Sequence, residues 1–556
     1  MTGTATAFAS LPELLRCVAE YIHTTRQLAT LCLVNKTFNT AITPVLYRNL
    51  EVTDRTLPVL KGLLENGRLA HVKVFTVSLN KTLSHQETLD TFMPLLGHLG
   101  QVECLKQVTA LNAVIRQFHN LLNAFREQCP RIQELDITFS ENMSRFLGYS
   151  DLVQPEEHRA FYAKPDLASF SGLKSLALRN LYQELDWWRD QIVSVLRASP
   201  DLQHLELSLA LWTLHLHHVK NEDQKFANWF DELCEAYAAT GAKPLRLRSL
   251  HLGCAVLPFN AEAVQKLVDL RHLEDLYIHN EGIYYDGKIV LDMYNYDDED
   301  SGIAFDAFGS ENCPNLRRFS MVTHHRDVHN MLAQADPAWL RNLAVSCHGT
   351  WGGWEFASLL RPDPEERHPQ LPVHLRMLHI ELQREMVFLR NYDGEHMADE
   401  DIPALEQVLD NLVTGDDGAL EGLGVHLEVR CGQDGGPVEP GEHPFEDFHL
   451  FLDAIGKLSS LTQLAVLDYK SMFSEKRILK EWEAEHAACM LAMANPRLRY
   501  VRVHRRYWRI WREDGNVRLE KLAELDDETV DVDRSKLGEA SQVELFRWMN
   551  WKPETL

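Results

Sequence analysis

SPDLQHLEL, residues Ser199–Leu207, contains the pattern that decides the fold of this chain. A small or polar residue and a proline open the stretch, and apolar residues follow two, five and seven places after the proline. The same offsets recur in CPRIQELDI (Cys129–Ile137), CPNLRRFSM (Cys313–Met321) and NPRLRYVRV (Asn495–Val503). Because proline disfavours the helical conformation in the residue before it, each copy marks the end of a helix. The closing apolar-x-apolar triplet predicts a short strand with one buried face.

Looser copies keep the apolar spacing but lack the proline. They are LKSLAL (Leu173–Leu178), LRSLHL (Leu247–Leu252), LEDLYI (Leu273–Ile278), LRNLAV (Leu340–Val345), LRMLHI (Leu375–Ile380) and LTQLAV (Leu461–Val466). The segments between copies have helical periodicity, as in Phe226, Trp229, Leu233 and Tyr237. Alternating strands and helices therefore predict an α/β fold.

This alternation around an L-x-x-L-x-L core resembles the leucine-rich repeat. The resemblance implies an irregular solenoid with insertions over residues 111–506, in which strands line one side and no repeat buries its apolar face alone. Two departures predict uneven curvature. Leu135, Leu176 and Leu205 lie 41 and 29 residues apart, against a family period of about 20–29. The asparagine that the family places after the strand is also missing.

A different apolar pattern precedes the repeats, in LPELLRCVAEYIHTTRQLATLCLVNKTFNTAITPVLYRNL, residues Leu11 to Leu50. Pro12 suits the first position of a helix, and apolar residues at helical spacing predict three short helices. Three helices in about 40 residues bury little surface alone, so such a package requires a partner or a neighbouring domain.

The layout of this stretch resembles the F-box. Leu11-Pro12 opens the first helix, Val34-Asn35-Lys36 with Phe38 matches the family's "lVnk.F" signature, and Leu46-Tyr47-Arg48 matches its "LYr" ending. The resemblance covers roughly 40 residues and implies docking on the Skp-family adaptor of cullin–RING ubiquitin ligases. The adaptor contacts that it implies are Leu11, Pro12, Leu14, Leu15, Ile22, Leu28, Leu31, Val34, Asn35 and Phe38. The alternative is a helical cap that only covers the end of the repeat stack.

Three further segments complete the expected domain organisation. Residues 1–10 are expected to be a flexible N-terminus. Residues 51–110 are expected to be a linker and a degenerate first repeat, for which VKVFTVSLN (Val72–Asn80) is the candidate. Residues 507–556 are expected to form a C-terminal hairpin and a helical cap.

Composition limits the classes of partner. The formal net charge is −25, which argues against nucleic acid or an anionic membrane as the main partner, since both require clustered positive charge. No run approaches the roughly 18 apolar residues of a membrane span. The ten cysteines are scattered without a Cys-x-x-Cys pair, which is typical of free thiols in the cytoplasm or nucleus.

Two aromatic segments are candidates for binding a protein substrate. CHGTWGGWEF places Trp351 and Trp354 around two glycines after a strand, although both could instead pack over the edge of the solenoid. Near the C-terminus, Arg502, Arg505 and Arg509 surround Trp508. Such a surface could hold a phosphate or an acidic segment through paired hydrogen bonds. The alternative is that Glu520, Glu524 and the other acidic residues that follow neutralise the arginines within the chain.

A third feature is the acidic insertion Gly282–Gly302, which contains the tetrad Asp297–Asp300. Its Asp286-Gly287 pair predicts a small hairpin. The acidic tetrad is interpreted as a solvated loop, with a partner contact as the alternative.

No motif in the sequence indicates catalysis. His325 and His329 could share a helix face, but they lack an acidic third ligand, so neither a metal nor a cofactor is expected. GLGVHL (Gly422–Leu427) has only two glycines of a dinucleotide fingerprint. We therefore expect a non-catalytic substrate-recognition subunit of a cullin–RING ubiquitin ligase, linked through the adaptor to the cullin. A binding scaffold outside the ubiquitin system is the alternative.

Overall fold

The computed structural model describes the part of the chain that carries most of the sequence pattern. The described residues are 11–22, 25–53, 55–78, 85–109, 122, 124–138, 167–181, 185–209, 229–253, 261–279, 284–285, 288–289, 308, 312–323, 340–347, 375–382, 420–427, 445, 448–468, 479–513, 515–524, 540 and 543–549. They have a mixed α/β structure and belong to two compact units, Met1–Leu270 and Arg271–Leu556. Across these ranges, no helix has both the length and the apolar content needed to cross a bilayer.

The first unit begins with the three predicted helices, α1 (Pro12–Ala19), α2 (Thr25–Cys32) and α3 (Lys36–Leu46). Pro12 lies in the first turn of α1, as expected for a residue that has no N–H to donate. Asn35 caps α3, since its side-chain oxygen accepts a 3.0 Å hydrogen bond from the Phe38 N–H. The three helices share a core that consists of Leu15, Ala19, Leu28, Cys32, Ala41 and Ile42. We call these three helices the N-terminal package.

The N-terminal package continues directly into the sheet. Strand β1 (Asn49–Thr53) begins three residues after α3 ends. Arg68 then ties a following turn to α3: its Nη1 donates to Thr43 Oγ1 at 3.2 Å, and its guanidinium lies 5.5 Å from the centre of the Tyr47 ring. Residues 51–53 continue β1, and Val74–Ser78 pairs with β1 as a parallel strand. The stretch expected to be a linker and a degenerate first repeat therefore contributes strands to the sheet.

The sheet of the first unit consists of seven parallel strands in chain order. After β1 these are β2 (Val74–Ser78), β3 (Cys104–Thr109), β4 (Glu134–Thr138), β5 (Ser175–Leu181), β6 (His204–Leu209) and β7 (Ser249–Gly253). The described helices between them are α4 (Leu60–Glu65), α5 (His85–Leu96), α6 (Leu185–Ala198) and α7 (Trp229–Ala239), and α8 (Ala261–Leu267) follows β7. Short 3₁₀ turns cover Leu57–Val59, Arg68–His71 and Leu270–His272.

One apolar position of each strand forms a continuous row through this sheet. The row pairs Leu50, Phe75, Leu105, Leu135, Leu176, Leu205 and Leu250 in successive strands. All but the half-buried Leu50 are buried, and burying a leucine side chain contributes about 1.5–3 kcal/mol. This row is the middle apolar residue of the repeated sequence pattern, so the pattern sets the register.

The second unit repeats this arrangement and ends differently. Strands β8 (Asp275–His279), β11 (Arg318–Thr323), β12 (Asn342–Cys347), β13 (Met377–Leu382), β14 (Gly422–Leu427), β15 (Gln463–Asp468) and β16 (Tyr500–Val503) are parallel and lie in that order. β17 (Arg506–Glu513) and β18 (Asn516–Glu524) then add antiparallel strands. The helices are α9 (Phe448–Lys457), α10 (Glu481–Ala494) and α11 (Glu544–Met549). A separate hairpin of β9 (Tyr284–Tyr285) and β10 (Lys288–Ile289) flanks Asp286-Gly287, which confirms the predicted hairpin.

The strand prediction is confirmed for all ten sequence copies, four with the proline and six without. The structure adds parallel strands that the sequence analysis missed, namely β1, β3 and one in the second unit. GLGVHL is β14, with Leu423 in register with Leu378 of β13 and Leu464 of β15. Its glycines therefore lie within a strand, and the partial dinucleotide fingerprint is a coincidence of spacing.

The residue before the proline in each full copy is buried, whether it is Cys129, Ser199, Cys313 or Asn495. Ser199 Oγ accepts a 3.0 Å hydrogen bond from the Leu173 N–H in the preceding repeat. Asn495 Nδ2 donates at 2.9 Å to two carbonyl oxygens near the end of α9. In these two copies, the residue that ends one helix also fastens neighbouring repeats together.

Candidate functional site

Helix α1 exposes a row of large apolar side chains. Leu11, Leu14, Val18 and Tyr21 are spaced by three, four and three residues. Leu14 and Val18 share one face of α1, whereas Leu11 directly precedes the helix and Tyr21 lies in the turn that follows it. Leu14 is 41% exposed and Tyr21 is 80% exposed, whereas the adjacent Leu15 is only 5% exposed. We call these four residues the α1 stripe. The helix is therefore apolar on two faces, of which one packs on α2 and α3 and the other faces solvent.

A second exposed apolar pair lies between α2 and α3. Leu33 is 84% exposed and Val34 is also exposed, and the backbone N–H groups of both bond back into the last turn of α2. Two apolar side chains are thus held outward by an ordered turn. Single exposed apolar residues are common, but several on one small package are typical of a protein-docking surface.

The ten predicted adaptor contacts divide by exposure. Leu11, Pro12, Leu14, Val34 and Asn35 are exposed, and Ile22, Leu31 and Phe38 are half-buried. Leu15 and Leu28 are buried in the package core. Their placement among the surface contacts is corrected, because their side chains hold the three helices together.

Three exposed apolar residues were absent from that set, namely Val18, Tyr21 and Leu33. The helical spacing of Val18 from Leu14 could have revealed Val18, because it places both on a face of α1 about 100° away from Leu15 and Ala19. Tyr21 continues the same spacing just beyond the end of the helix. Leu33 has no comparable signal, since its exposure depends on the turn between α2 and α3.

The sheet of the first unit has a row of titratable side chains, half-buried or buried, on the face opposite its central leucines. Lys106, Asp136, Glu206 and His251 each lie one place after a central leucine, on β3, β4, β6 and β7. Alternate residues of a strand point to opposite faces, so these side chains share the outer face. We call this face of either sheet the strand face.

Arg179 on β5 joins this row of titratable side chains across three strands. Its guanidinium bonds both carboxylate oxygens of Glu206, at 2.6 and 2.8 Å, and Asp136 Oδ1 at 2.5 Å. Burial lowers the pKa of Arg179, but the charges and hydrogen bonds of the Glu206 and Asp136 carboxylates raise it by a larger amount. The pKa of Arg179 therefore lies above its usual range. Lys106 lies 3.8 Å from Asp136, so charges alternate along the row.

The strand face of the second unit is buried at β13 to β15, whereas the strand face of the first unit is half-buried at Lys106, Asp136 and Glu206. Met377, His379, Gly422 and Ala465 on β13 to β15 are all buried. Helix α11 lies against β14 and β15, and Leu545 and Phe546 are fully buried. The expected C-terminal helix is present, but it lies on the strand face rather than at the end of the last repeat.

The C-terminal arginines are engaged within the chain. Arg509 Nη1 lies 3.7 Å from Glu520, and its guanidinium lies 5.9 Å from the centre of the Tyr500 ring. Arg502 donates to the His504 carbonyl at 2.9 Å, and Arg505 is half-buried. Trp508 is only 3% exposed, so its proposed place in a binding surface is corrected: it pairs with Val501 and faces the core.

The predicted hairpin is present, with Glu513 opposite Asn516 and Gly515 at φ 81°. Several other candidates lie outside the described residues: Trp351, Trp354, the acidic tetrad Asp297–Asp300 and the histidines His325 and His329. Within the described ranges, no cluster of three or more His, Cys, Asp or Glu side chains could hold a metal ion. The sequence matches no protein-family model and no curated protein.

Proposed function

We propose that this chain is a non-catalytic substrate-recognition subunit of a cullin–RING ubiquitin ligase. The N-terminal package acts as an F-box that docks the Skp-family adaptor, and through it the cullin, in the cytoplasm or nucleus. The strand-and-helix repeats act as an irregular leucine-rich-repeat solenoid that binds a protein substrate. The observation that carries the proposal is the α1 stripe, four apolar side chains on an ordered helix and directly beside its two ends that the N-terminal package leaves uncovered.

The energetics of the α1 stripe support protein docking. A leucine or valine side chain gains about 1.5–3 kcal/mol on full burial. Leu14 and Val18 retain somewhat less than half of their surface exposed, so each can contribute about 1 kcal/mol when a partner covers it. The stripe and the Leu33–Val34 pair together offer enough apolar surface for a compact interface core.

The direct passage from α3 into β1 supports the role of a rigid spacer. The Arg68–Thr43 hydrogen bond and the contact of Arg68 with the Tyr47 ring fix the helices to the first repeats. A substrate held on the first unit would therefore keep a defined position relative to the adaptor. Catalysis would come from proximity, because a ligase raises the local concentration of the substrate near the ubiquitin-loaded enzyme.

The second candidate is a binding scaffold outside the ubiquitin system, whose N-terminal helices only cap the repeats. The observation that favours it is the same packing of α3 on the turn Arg68–His71, which lies between β1 and β2 in the chain. A pure cap explains the buried Leu15 and Leu28, but it gives no reason for the four exposed apolar side chains of the α1 stripe.

Adaptor binding by the purified full-length chain separates the two candidates. We expect micromolar or tighter binding to a purified Skp-family adaptor, measured by calorimetry. Leu14→Ala/Val18→Ala removes about 2 kcal/mol of burial at the interface, so affinity should fall about 30-fold. The matched control is Val59→Ala/Met93→Ala, which truncates two exposed apolar residues of the same unit away from the package.

The control should bind within twofold of the wild type. Failure of the wild-type chain to bind the adaptor at micromolar concentrations would exclude the ligase function and leave the scaffold. Equal losses in both double variants would show that the α1 stripe is not the contact.

A further inference from the structure

The C-terminal segment, Ala540 together with Val543–Met549, lies on the strand face of the second unit. Its buried side chains Ala540, Val543, Leu545 and Phe546 form one apolar cluster with residues of the sheet and the terminal hairpin. The sheet and hairpin members of that cluster are Met377, Ala465, Tyr507 and Ala523. The chain thus covers part of its own strand face with a segment from its far end.

The segment contacts the sheet and the hairpin through an aromatic pair, a backbone hydrogen bond and an ion pair. The Phe546 ring meets the Tyr507 ring edge to face, with centroids 5.1 Å apart. The Leu545 backbone N–H donates to Gln463 Oε1 at 2.8 Å. The Glu544 carboxylate lies 3.8 Å from Arg376 Nη2, which also binds Glu421.

Gly422 on β14 makes room for side chains on the strand face. A Cβ at position 422 would clash with the Met377 sulfur, and it would lie 3.5 Å from Leu545 Cβ, an ordinary contact distance. The glycine is therefore required first by Met377, a member of the apolar cluster that receives the segment. We call Arg376, Met377, Gly422, Gln463, Ala465 and Tyr507 the docking groove.

Helix α11 depends on the docking groove for its order. It has six residues, and helices shorter than about 12 residues are marginal in water without tertiary contacts. Fifteen residues, 525–539, separate Ala540, the first residue of the segment, from the end of β18, and a chain of that length can span about 50 Å. The segment can therefore leave the groove while β18 stays paired.

We propose that the docking groove is a binding site for a peptide with an acidic residue followed by two large apolar residues. The C-terminal segment occupies this site within the chain and competes with external ligands. The groove selects this chemistry because Arg376 faces a carboxylate, Gln463 accepts a backbone N–H, and Met377, Ala465 and Tyr507 receive the apolar pair. The inference rests on the proposed function in one respect, namely that the external ligand is the ubiquitination substrate.

Competition lowers the apparent affinity for an external peptide, because only the fraction of molecules with an empty groove binds it. The probe is a fluorescent peptide with the sequence of residues 541–551, SQVELFRWMNW. We expect full-length Leu545→Ala/Phe546→Ala to bind this peptide at least tenfold more tightly than the wild type, as measured by fluorescence anisotropy. A control peptide with serine at the leucine and phenylalanine positions should bind neither protein.

A third protein tests the groove itself. Adding Ala465→Trp to Leu545→Ala/Phe546→Ala should abolish peptide binding, because the indole fills the site of the apolar pair. If the folded double variant binds the peptide no more tightly than the wild type, the proposal is wrong and the segment is only a structural part of the second unit.

If Leu545→Ala/Phe546→Ala does not fold, hydrogen exchange of the wild-type chain tests the proposal instead. Saturating peptide should speed the exchange of amides 543–549, and unchanged exchange would overturn the proposal. Adaptor binding does not involve the groove, so its outcome is independent. A chain that binds the peptide but not the adaptor would disprove the ligase function and leave the groove assigned.

Discussion

Leu14 and Leu15 are neighbours in sequence whose side chains point about 100° apart around α1, and the structure predicts opposite effects for their substitution. Leu15 is 5% exposed inside the package core, and truncating a buried leucine to alanine costs about 3 kcal/mol. Leu14 is 41% exposed, and surface substitutions usually change stability by less than about 0.5 kcal/mol. Leu15→Ala should therefore loosen the package, whereas Leu14→Ala should leave its stability nearly unchanged.

Hydrogen exchange measured by mass spectrometry on the full-length chain is the appropriate assay. A 556-residue chain with two compact units does not unfold in one step, so a global unfolding free energy would not isolate the package. Amide protection in peptides covering residues 11–46 reports local opening. A cost of about 3 kcal/mol corresponds to roughly 100-fold faster exchange in Leu15→Ala, against at most about twofold in Leu14→Ala.

Under conditions in which the N-terminal package stays folded, adaptor affinity should fall more in Leu14→Ala than in Leu15→Ala. Leu14→Ala should weaken binding about fivefold, because about 1 kcal/mol of interface burial is lost. The reasoning would be refuted if Leu14→Ala and Leu15→Ala lost protection equally, since α1 would then not have one packed and one free face. Unchanged adaptor affinity in Leu14→Ala would remove the α1 stripe from the interface.

Two further predictions concern titratable side chains, Arg179 in the first unit and His504 in the second. Arg179→Met should lower the urea midpoint of the first unit, with a loss of about 2 kcal/mol, because the carboxylates of Asp136 and Glu206 lose their shared cation in a partly exposed site; a loss no larger than that of Arg179→Lys would contradict this. His504 is half-buried beside arginines, with its Nε2 atom shielded from solvent, and desolvation first and these charges second lower its pKa from 6.5 to about 3. The unfolded histidine therefore takes up a proton near pH 6.5 while the folded one does not, so its contribution to stability is complete above pH 6.5 and is lost as the pH falls toward 3. His504→Asn also suits the left-handed backbone at φ 53°, and it should lose less stability than the wild type between pH 7.5 and 5.5 in urea titrations; equal losses would show that His504 does not titrate as described.

The repeat pattern predicted the strands because one physical constraint acts on every copy. Leu135, Leu205 and Leu464 must be buried in register with their neighbours, so the apolar spacing cannot drift without exposing a leucine. The helix ends were equally accessible, because proline excludes itself and the residue before it from a continuing helix. GLGVHL escaped because glycine at the flanking positions hid a strand whose central Leu423 obeys the same spacing.

Surface features were harder to predict, because they depend on contacts between distant parts of the chain. Leu15 and Leu14 look alike in sequence, and only the position of α2 and α3 decides which one is buried. Trp508 stands among arginines as if exposed, but its pairing with Val501 turns it into the core. Leu545 and Phe546 pack on the strand face of the second unit against residues that are distant in sequence, which no local pattern encodes.

In each unit, the strands of the parallel sheet lie side by side in chain order, which has a consequence for how the protein is made. During synthesis each new strand meets a template that has already left the ribosome, so each sheet can grow by addition at a single edge. That edge exposes unpaired backbone until the next repeat emerges, which makes every pause in translation an opportunity for aggregation. In the second unit, the antiparallel strands Arg506–Glu513 and Asn516–Glu524 end this growth, because they replace the parallel template that another repeat would require.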